Sequence, residues 1–275
     1  MPARLDKSDL AGRIKYRLRW HLITRRQMPA EVGLWAAPQV RLKIKRPETG
    51  NFVLRAQKRF GTHDGLMVYE PEETQIFLAR IERASVFFDV GAHIGYYSLL
   101  AASRKTIRQV VAMEIFPGLA EEIRFHSKVN GFDQILVETI AIGDGTTTIE
   151  FGNRTAKAKQ KTISLDKFVE DRGLQPDLVK IDIEGFEYLA LQGGKQTLSS
   201  SPELMLSIHP SYLTQYGGGV EGLLEFLGAR YNYLYLIHPG LALQEKALPA
   251  SLEPLRFDRI PEEDFVLWCS REALQ

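Results

Sequence analysis

The sequence predicts an α/β fold, a largely parallel sheet with helices on both faces and an extension at the N-terminus. Three observations carry that prediction. The run Ala84 to Val90, rich in Val and Phe, ends at Gly91 and Gly95, as a buried central strand entering a glycine turn and a helix should. Apolar strand-like runs then alternate with stretches of helical spacing. Acids recur where those runs stop, at Asp89, Glu114, Asp182 and Glu184, and the carboxyl ends of parallel strands face the ligand crevice of an open sheet.

At 275 residues the chain is long enough for one large domain with an extension, divided as 1–80 and 81–275. Hydrophobic residues at 44% and charged residues at 25% fit a chain with a real core. A net charge of +1 gives no overall drive toward nucleic acid. The single cysteine, Cys269, excludes an internal disulfide and a multi-cysteine zinc site, and its apolar neighbours Phe265 to Trp268 mark it as a buried structural thiol. With no apolar stretch of roughly 18 to 20 residues and no signal-peptide core, a cytoplasmic protein is expected. Charge is unevenly spread: Arg and Lys crowd residues 1–46, interleaved with Leu10, Ile14, Leu18, Trp20, Leu22 and Ile23 in a rough amphipathic helix. Such a segment either packs its apolar stripe on the core or meets an anionic membrane surface or an acidic substrate, a membrane-peripheral contact.

The rest of residues 1–80 mixes helical and short extended patterns, broken at Pro29, Pro38 and Pro47 to Gly50, and reads as a lead-in. Pro71 in a first turn, with Glu72 and Glu73 at the positive helix end, starts a helix reaching about Arg83. After the first strand, Ile94 to Ala102 is helical, and Gln109 to Met113 is a second strand ending in Glu114. Pro117 to Val129 is a helix stopped by Asn130-Gly131, and Gln134 to Ile140 is the third strand. Gly143-Asp144-Gly145 turns the chain into Thr146 to Phe151, an added hairpin arm, followed to Lys161 by a polar loop long enough for a mobile lid or a surface loop. Leu178 to Ile181 is a buried strand carrying Asp182 and Glu184 at its end. Tyr188 to Leu198 is helical, with Gly193-Gly194 marking a kink or close packing. Glu203 to Ile208 is a fifth strand ending at His209-Pro210, Gly222 to Leu227 a helix, and Tyr231 to Ile237 and Asp264 to Cys269 the last two strands.

The glycine turn after the first strand is spaced G-x-x-x-G with His93 inside it, not the three-glycine G-x-G-x-x-G that seats a pyrophosphate on a helix N-terminus. A cofactor without a pyrophosphate is therefore favoured. Glu114, past the second strand, stands where an acid accepts hydrogen bonds from ribose hydroxyls; the alternative is an ordinary strand-end acid.

Together, Asp89 to Ser98, Glu114, Ala141-Ile142-Gly143-Asp144 and Lys180 to Glu187 resemble the FkbM-type methyltransferase family over about residues 69–210. The resemblance implies a Rossmann-like, seven-stranded class I methyltransferase sheet, S-adenosylmethionine as donor, and transfer to an oxygen, often on a sugar, glycan or natural-product hydroxyl. It implies that Asp89, Gly91 and Gly95 frame the methionine end of the cofactor and Glu114 the ribose. Asp144 would lie beside the adenine with Ile142 as an apolar contact, Asp182 and Glu184 would sit between sulfonium and acceptor, and His209 matches a His-Pro closing the next strand. Ser207 and His126 depart from the family pattern, which more often has an acid and an asparagine there.

For an in-line displacement at a sulfonium methyl, positioning is the largest available contribution, about 7–11 kcal/mol, and a placed base adds about 10²–10⁴-fold. Asp182, Glu184 and His209 are the base candidates, with a neutral histidine the natural acceptor near pH 7. Two acids are too few to assign a metal. An NAD-dependent oxidoreductase or epimerase shares the strand, turn and acid, but the missing third glycine and the late strand pair argue against it. A non-catalytic cofactor-binding module is disfavoured by the presence of all five acids, Asp89, Glu114, Asp144, Asp182 and Glu184. No signature of nucleic-acid binding or base flipping is present.

Overall fold

A computed structural model describes residues 31–37, 40–45, 70–152, 157–216, 218–238 and 251–274. The amphipathic segment expected over residues 10–23 lies outside the described residues. In the lead-in, β1 (Glu31–Ala37) and β2 (Val40–Lys45) pair as an antiparallel hairpin. Then follow α1 (Pro71–Ile81), β3 (Val86–Val90), α2 (Tyr96–Ala102), β4 (Gln109–Met113), α3 (Pro117–Asn130) and β5 (Ile135–Glu138). Gly131, left-handed at φ 69°, ends α3 as the Asn-Gly pair requires.

A peripheral group comes next: β6 (Ile142–Gly143), β7 (Thr148–Gly152), β8 (Lys157–Lys161), β9 (Ile163–Ser164) and α4 (Leu165–Arg172). The second half holds β10 (Leu178–Ile181), α5 (Glu187–Gly193), β11 (Glu203–Ile208), α6 (Pro210–Leu213), α7 (Val220–Gly228), β12 (Tyr233–His238), β13 (Ser251–Pro254) and β14 (Phe265–Ser270).

The central sheet runs β13-β12-β14-β11-β10-β3-β4-β5. Strands β5, β4, β3, β10 and β11 are parallel neighbours, and β14 lies antiparallel between β11 and β12. Seven strands were expected and eight pair among the described residues. The extra one, β13, is an edge strand cut from the long connection before β14. Four residues ending in Pro254 carry too little apolar alternation to read as a strand, and proline is tolerated at a sheet edge. The polar loop expected to reach Lys161 is also corrected: Lys157–Lys161 pairs antiparallel with Thr148–Gly152 and completes the arm as a hairpin. Lys-Ala-Lys-Gln-Lys has no apolar face to announce a strand, so cross-strand pairing decides it.

Period-two alternation along β3 sends Phe87 to one face and Phe88 and Val90 to the other. The first face is covered by Phe77 and Ile81 of α1, Leu99 and Leu100 of α2 and Ile123 of α3. The second is covered by Leu165 and Phe168 of α4, Leu191 of α5 and Leu223 and Leu227 of α7. Glu203 ties three elements together: it takes the Arg80 guanidinium, with Nε at 2.9 Å, and the Trp268 indole N–H at 3.1 Å. The Gly193-Gly194 pair marks close packing, since a Cβ on Gly193 would stand 2.0 Å from the Gly143 carbonyl oxygen.

Because β3 pairs with β4 on one side and β10 on the other, the chain reverses its winding direction there. The turns leaving β3 and β10 open side by side at the topological switch point, where open sheets hold ligands.

Candidate active site

Gly91 leaves β3 at φ 81°, a conformation that costs glycine little, and a Cβ there would fall 1.9 Å from the Asp182 carbonyl oxygen. Only glycine lets the two strand-end turns touch. Gly95, at φ 80°, caps the start of α2. His93 and Glu184, one in each turn, also hold left-handed φ values of 55° and 54°, a strain that the surrounding structure has to impose. His93 is exposed, while its backbone N–H is tied down by Glu114 at 2.8 Å.

Three charged groups meet below the turns. Asp89 is buried, and its Oδ2 accepts from Ser98 Oγ at 2.6 Å, while its Oδ1 is buried with no hydrogen-bond partner among the described residues. Burial raises the Asp89 carboxyl above the ordinary range, against the opposing Lys180 charge. Lys180, opposite Asp89 in register, is itself buried, with Nζ 2.9 Å from Asp182 Oδ2 and 4.9 Å from the Tyr97 ring centroid. Burial would lower this lysine, but Asp182, Glu70 and Asp89 together raise it. For Asp182 the balance runs the other way: burial pushes its carboxyl up, and Lys180, His209 and Ser207 bring it below the usual range. Ser207, one of the two departures from the family pattern, thus supplies a hydroxyl to Asp182 in place of a second acid.

His209 ends β11 with Nδ1 2.8 Å from Glu187 Oε1 and Nε2 3.8 Å from Asp182 Oδ1. Burial alone would lower the imidazole; Glu187, Asp182 and Glu184 overcome it and raise the ring to about 9. These acids work against the neutral histidine expected as proton acceptor near pH 7. Glu184 is exposed at the mouth, and its carboxyl is raised by partial desolvation and by the neighbouring acids Asp182, Glu187 and Asp264, with His209 opposing.

Glu114 is buried at the end of β4 and accepts the backbone N–H of His93 and of Phe116, each at 2.8 Å. Burial nevertheless wins and raises it to about 7. Ile142 is buried, paired in register with Ile163. Asp144 is half-buried, and its carboxylate is engaged within the chain: it accepts Thr146 N–H at 2.9 Å, Thr147 N–H at 2.8 Å, and the hydroxyls of Thr146 and Thr147 at 2.7 and 3.0 Å. Those donors, outweighing slight burial, hold it well below the carboxylate range.

The structure thus brings Asp89, Gly91, Asp182, Glu184 and His209 together at the adjoining ends of β3, β10 and β11, with Glu114 at the end of β4 tied to the turn between Gly91 and Gly95. Asp144 instead ties together the start of the hairpin arm. Glu187 was missed: as the first residue of a helix it reads as an acid favoured by the helix dipole, although it is fully buried against His209. Ser98, buried on Asp89, was missed too, since a serine in a helix carries no signal. Among the described residues no cluster of three or more His, Cys, Asp or Glu is placed to hold a metal ion, and no helix is long and apolar enough to cross a membrane.

Comparison with known proteins places the chain in a family. Residues 89–235 match the family described as the methyltransferase FkbM domain. The hexuronic acid methyltransferase AglP of Haloferax volcanii is 25% identical over 153 residues, 51% of this chain and 62% of that protein. The chain therefore spans less than two thirds of the curated relative's length. The crystal structure of methyltransferase FkbM from Methylobacillus flagellatus KT aligns at 21% identity and a TM-score of 0.42 over 68% of this chain and 43% of its own. A SAM-dependent methyltransferase from Agrobacterium tumefaciens shares the fold, with a TM-score of 0.52, 11% identity, and coverage of 90% of this chain and 72% of that one.

Proposed function

The chain belongs to the FkbM methyltransferase family, and from that premise we propose that it transfers the methyl group of S-adenosylmethionine to a hydroxyl of a sugar, glycan or natural product. The observation that carries this reading is the meeting of Asp89, Asp182 and Glu184 where the turns after β3 and β10 touch, beside a turn without pyrophosphate-binding spacing. The residues present fit the donor. Asp89 Oδ1 is a buried acceptor with no hydrogen-bond partner among the described residues, suited to the ammonium of a methionine moiety. Glu114 closes the turn from the side on which ribose would lie. Carboxylates outnumber Lys180 and His209 around the crevice, which favours a cationic ligand. In our reading Gly91 and Gly95 frame that same end and Ile142 and Asp144 the adenine end, the latter sharing its carboxylate with the Thr146-Thr147 turn.

When bound, the donor supplies a methyl carbon whose bond to a positively charged sulfur breaks as an acceptor oxygen attacks, leaving a neutral thioether. The protein's part is to hold the acceptor in line, exclude water and receive the hydroxyl proton. Lys180 keeps Asp182 ionised, so Asp182 orients the hydroxyl. Glu184, with its raised carboxyl and open position, suits receipt of the proton and its release to solvent. An acidic sugar is a reasonable first acceptor to try, because the curated relative is named for hexuronic acid. We further propose that the basic segment 1–46 brings the enzyme to an anionic surface or substrate, and that nucleic acid is not the acceptor.

The test is calorimetric titration of the full chain with S-adenosylmethionine, S-adenosylhomocysteine and NAD, beside Glu114→Ala. Binding of both adenosyl ligands, weakened at least about tenfold by the substitution, is expected. Binding of NAD alone would return the protein to the oxidoreductase reading.

A further inference from the structure

Glu187 occupies the most demanding place in the site. It is fully buried at the start of α5, and its Oε1 receives three donors: the Gly185 N–H at 3.0 Å, the Ile183 N–H at 3.3 Å and His209 Nδ1 at 2.8 Å. Its Oε2 is buried with no hydrogen-bond partner among the described residues. A buried carboxyl group in this position is costly unless a cation lies against it, and His209 is its ion-pair partner among the described residues. Gly185, at φ 104°, lets the backbone of Tyr212 press onto the same turn, so Glu187 bolts the ends of β10 and β11 together.

The other ring nitrogen completes the geometry. His209 Nε2 and Asp182 Oδ1 are 3.8 Å apart, too far for a hydrogen bond to each other. A single hydroxyl oxygen about 2.8 Å from each atom would fit between them. We propose that Glu187 is a positioning residue that fixes His209 as an imidazolium, so that Nε2–H donates to the acceptor's hydroxyl oxygen while Asp182 Oδ1 accepts that hydroxyl's hydrogen.

His209 then orients the acceptor, and the hydroxyl's proton passes to Asp182 and from there to Glu184 and solvent, not to the ring. The ring is faced by Glu187 from α5, by Asp182 and Glu184 from the turn after β10 with Lys180 behind Asp182, and by Tyr212 from α6; Ser207 bonds Asp182, and Asp264 lies near Glu184. The acceptor's part in this rests on the methyltransferase reading, whereas the charge of His209 does not.

The test is NMR titration of the His209 ring protons in the full chain, assigned by their loss in His209→Gln, with Glu187→Gln and Glu187→Asp alongside. The wild-type ring is expected to stay charged through pH 8. Glu187→Gln should move its midpoint down by at least about one pH unit, and Glu187→Asp, which keeps the charge, by less. A wild-type ring neutral at pH 7, or a midpoint unmoved by Glu187→Gln, overturns the proposal. If Glu187→Gln does not fold, the wild type and Glu187→Asp decide it. Binding of S-adenosylhomocysteine by the same samples separates the two readings: a charged ring without binding removes the methyltransferase reading and leaves the Glu187–His209 coupling, and binding with a neutral ring does the reverse.

Discussion

Glu114 is poised near neutrality because burial outweighs two backbone N–H donors, which sets up a pH dependence with a definite sign. If ribose hydroxyls donate to this carboxylate, only its ionised form binds well. With a midpoint of about 7, the ionised fraction rises from about one tenth at pH 6 to about nine tenths at pH 8. S-adenosylhomocysteine should therefore bind about tenfold more tightly at pH 8 than at pH 6, and the difference should vanish in Glu114→Gln. Calorimetry at the two pH values checks it. His209 gives the opposite dependence, and in stability. Its folded midpoint of about 9 lies above the ordinary 6.5, so its contribution is fully present below pH 6.5 and is lost as pH rises through 9. The shift corresponds to about 3 kcal/mol at most. The wild type should lose several degrees of Tm between pH 7 and 9.5 that His209→Gln, already without the contribution, does not lose. Equal slopes for the two proteins would mean the ring is not held charged.

Among the elements, the two turns leaving β3 and β10 matter most, and their contact depends on one missing side chain. Gly91→Ala adds a Cβ that overlaps the Asp182 carbonyl oxygen and forces alanine into left-handed backbone. Since neither backbone yields cheaply, we expect a loss of about 3 kcal/mol or more in denaturant unfolding, together with loss of cofactor binding. A near-wild-type unfolding midpoint would show that the turns do not need each other. Both turns were legible in the sequence, because a buried apolar run stopped by glycine and an acid is a strong local pattern. The hairpin partner β8 and the edge strand β13 were not, because polar or four-residue strands are specified by what they pair with. Nor was Asp144's engagement: the family resemblance implied a place for it beside the adenine, but only the folded loop shows Thr146 and Thr147 wrapped on its carboxylate.

For the whole molecule, the formal charge of +1 conceals a basic first sixth of the chain followed by a site dominated by carboxylates. We propose that residues 1–80 serve as a recruiting and capping segment for the domain 81–275, with α1 from its end already built into the shared core. Removal of residues 1–26 should lower co-sedimentation with phosphatidylserine vesicles severalfold while leaving S-adenosylhomocysteine binding intact; equal sedimentation by the truncated chain would refute the recruiting role. The sequence by itself determined the α/β class, most of the strands and the family, because hydrophobic periodicity and glycine-acid turns are local signals that survive without a fold. Only the tertiary structure decided the eighth strand, the burial of Glu187 and its contact with His209. Those depend on groups from β10, β11 and α5 coming within hydrogen-bonding reach in a low-dielectric crevice, where distance and desolvation, which no spacing along the chain encodes, set each proton's position.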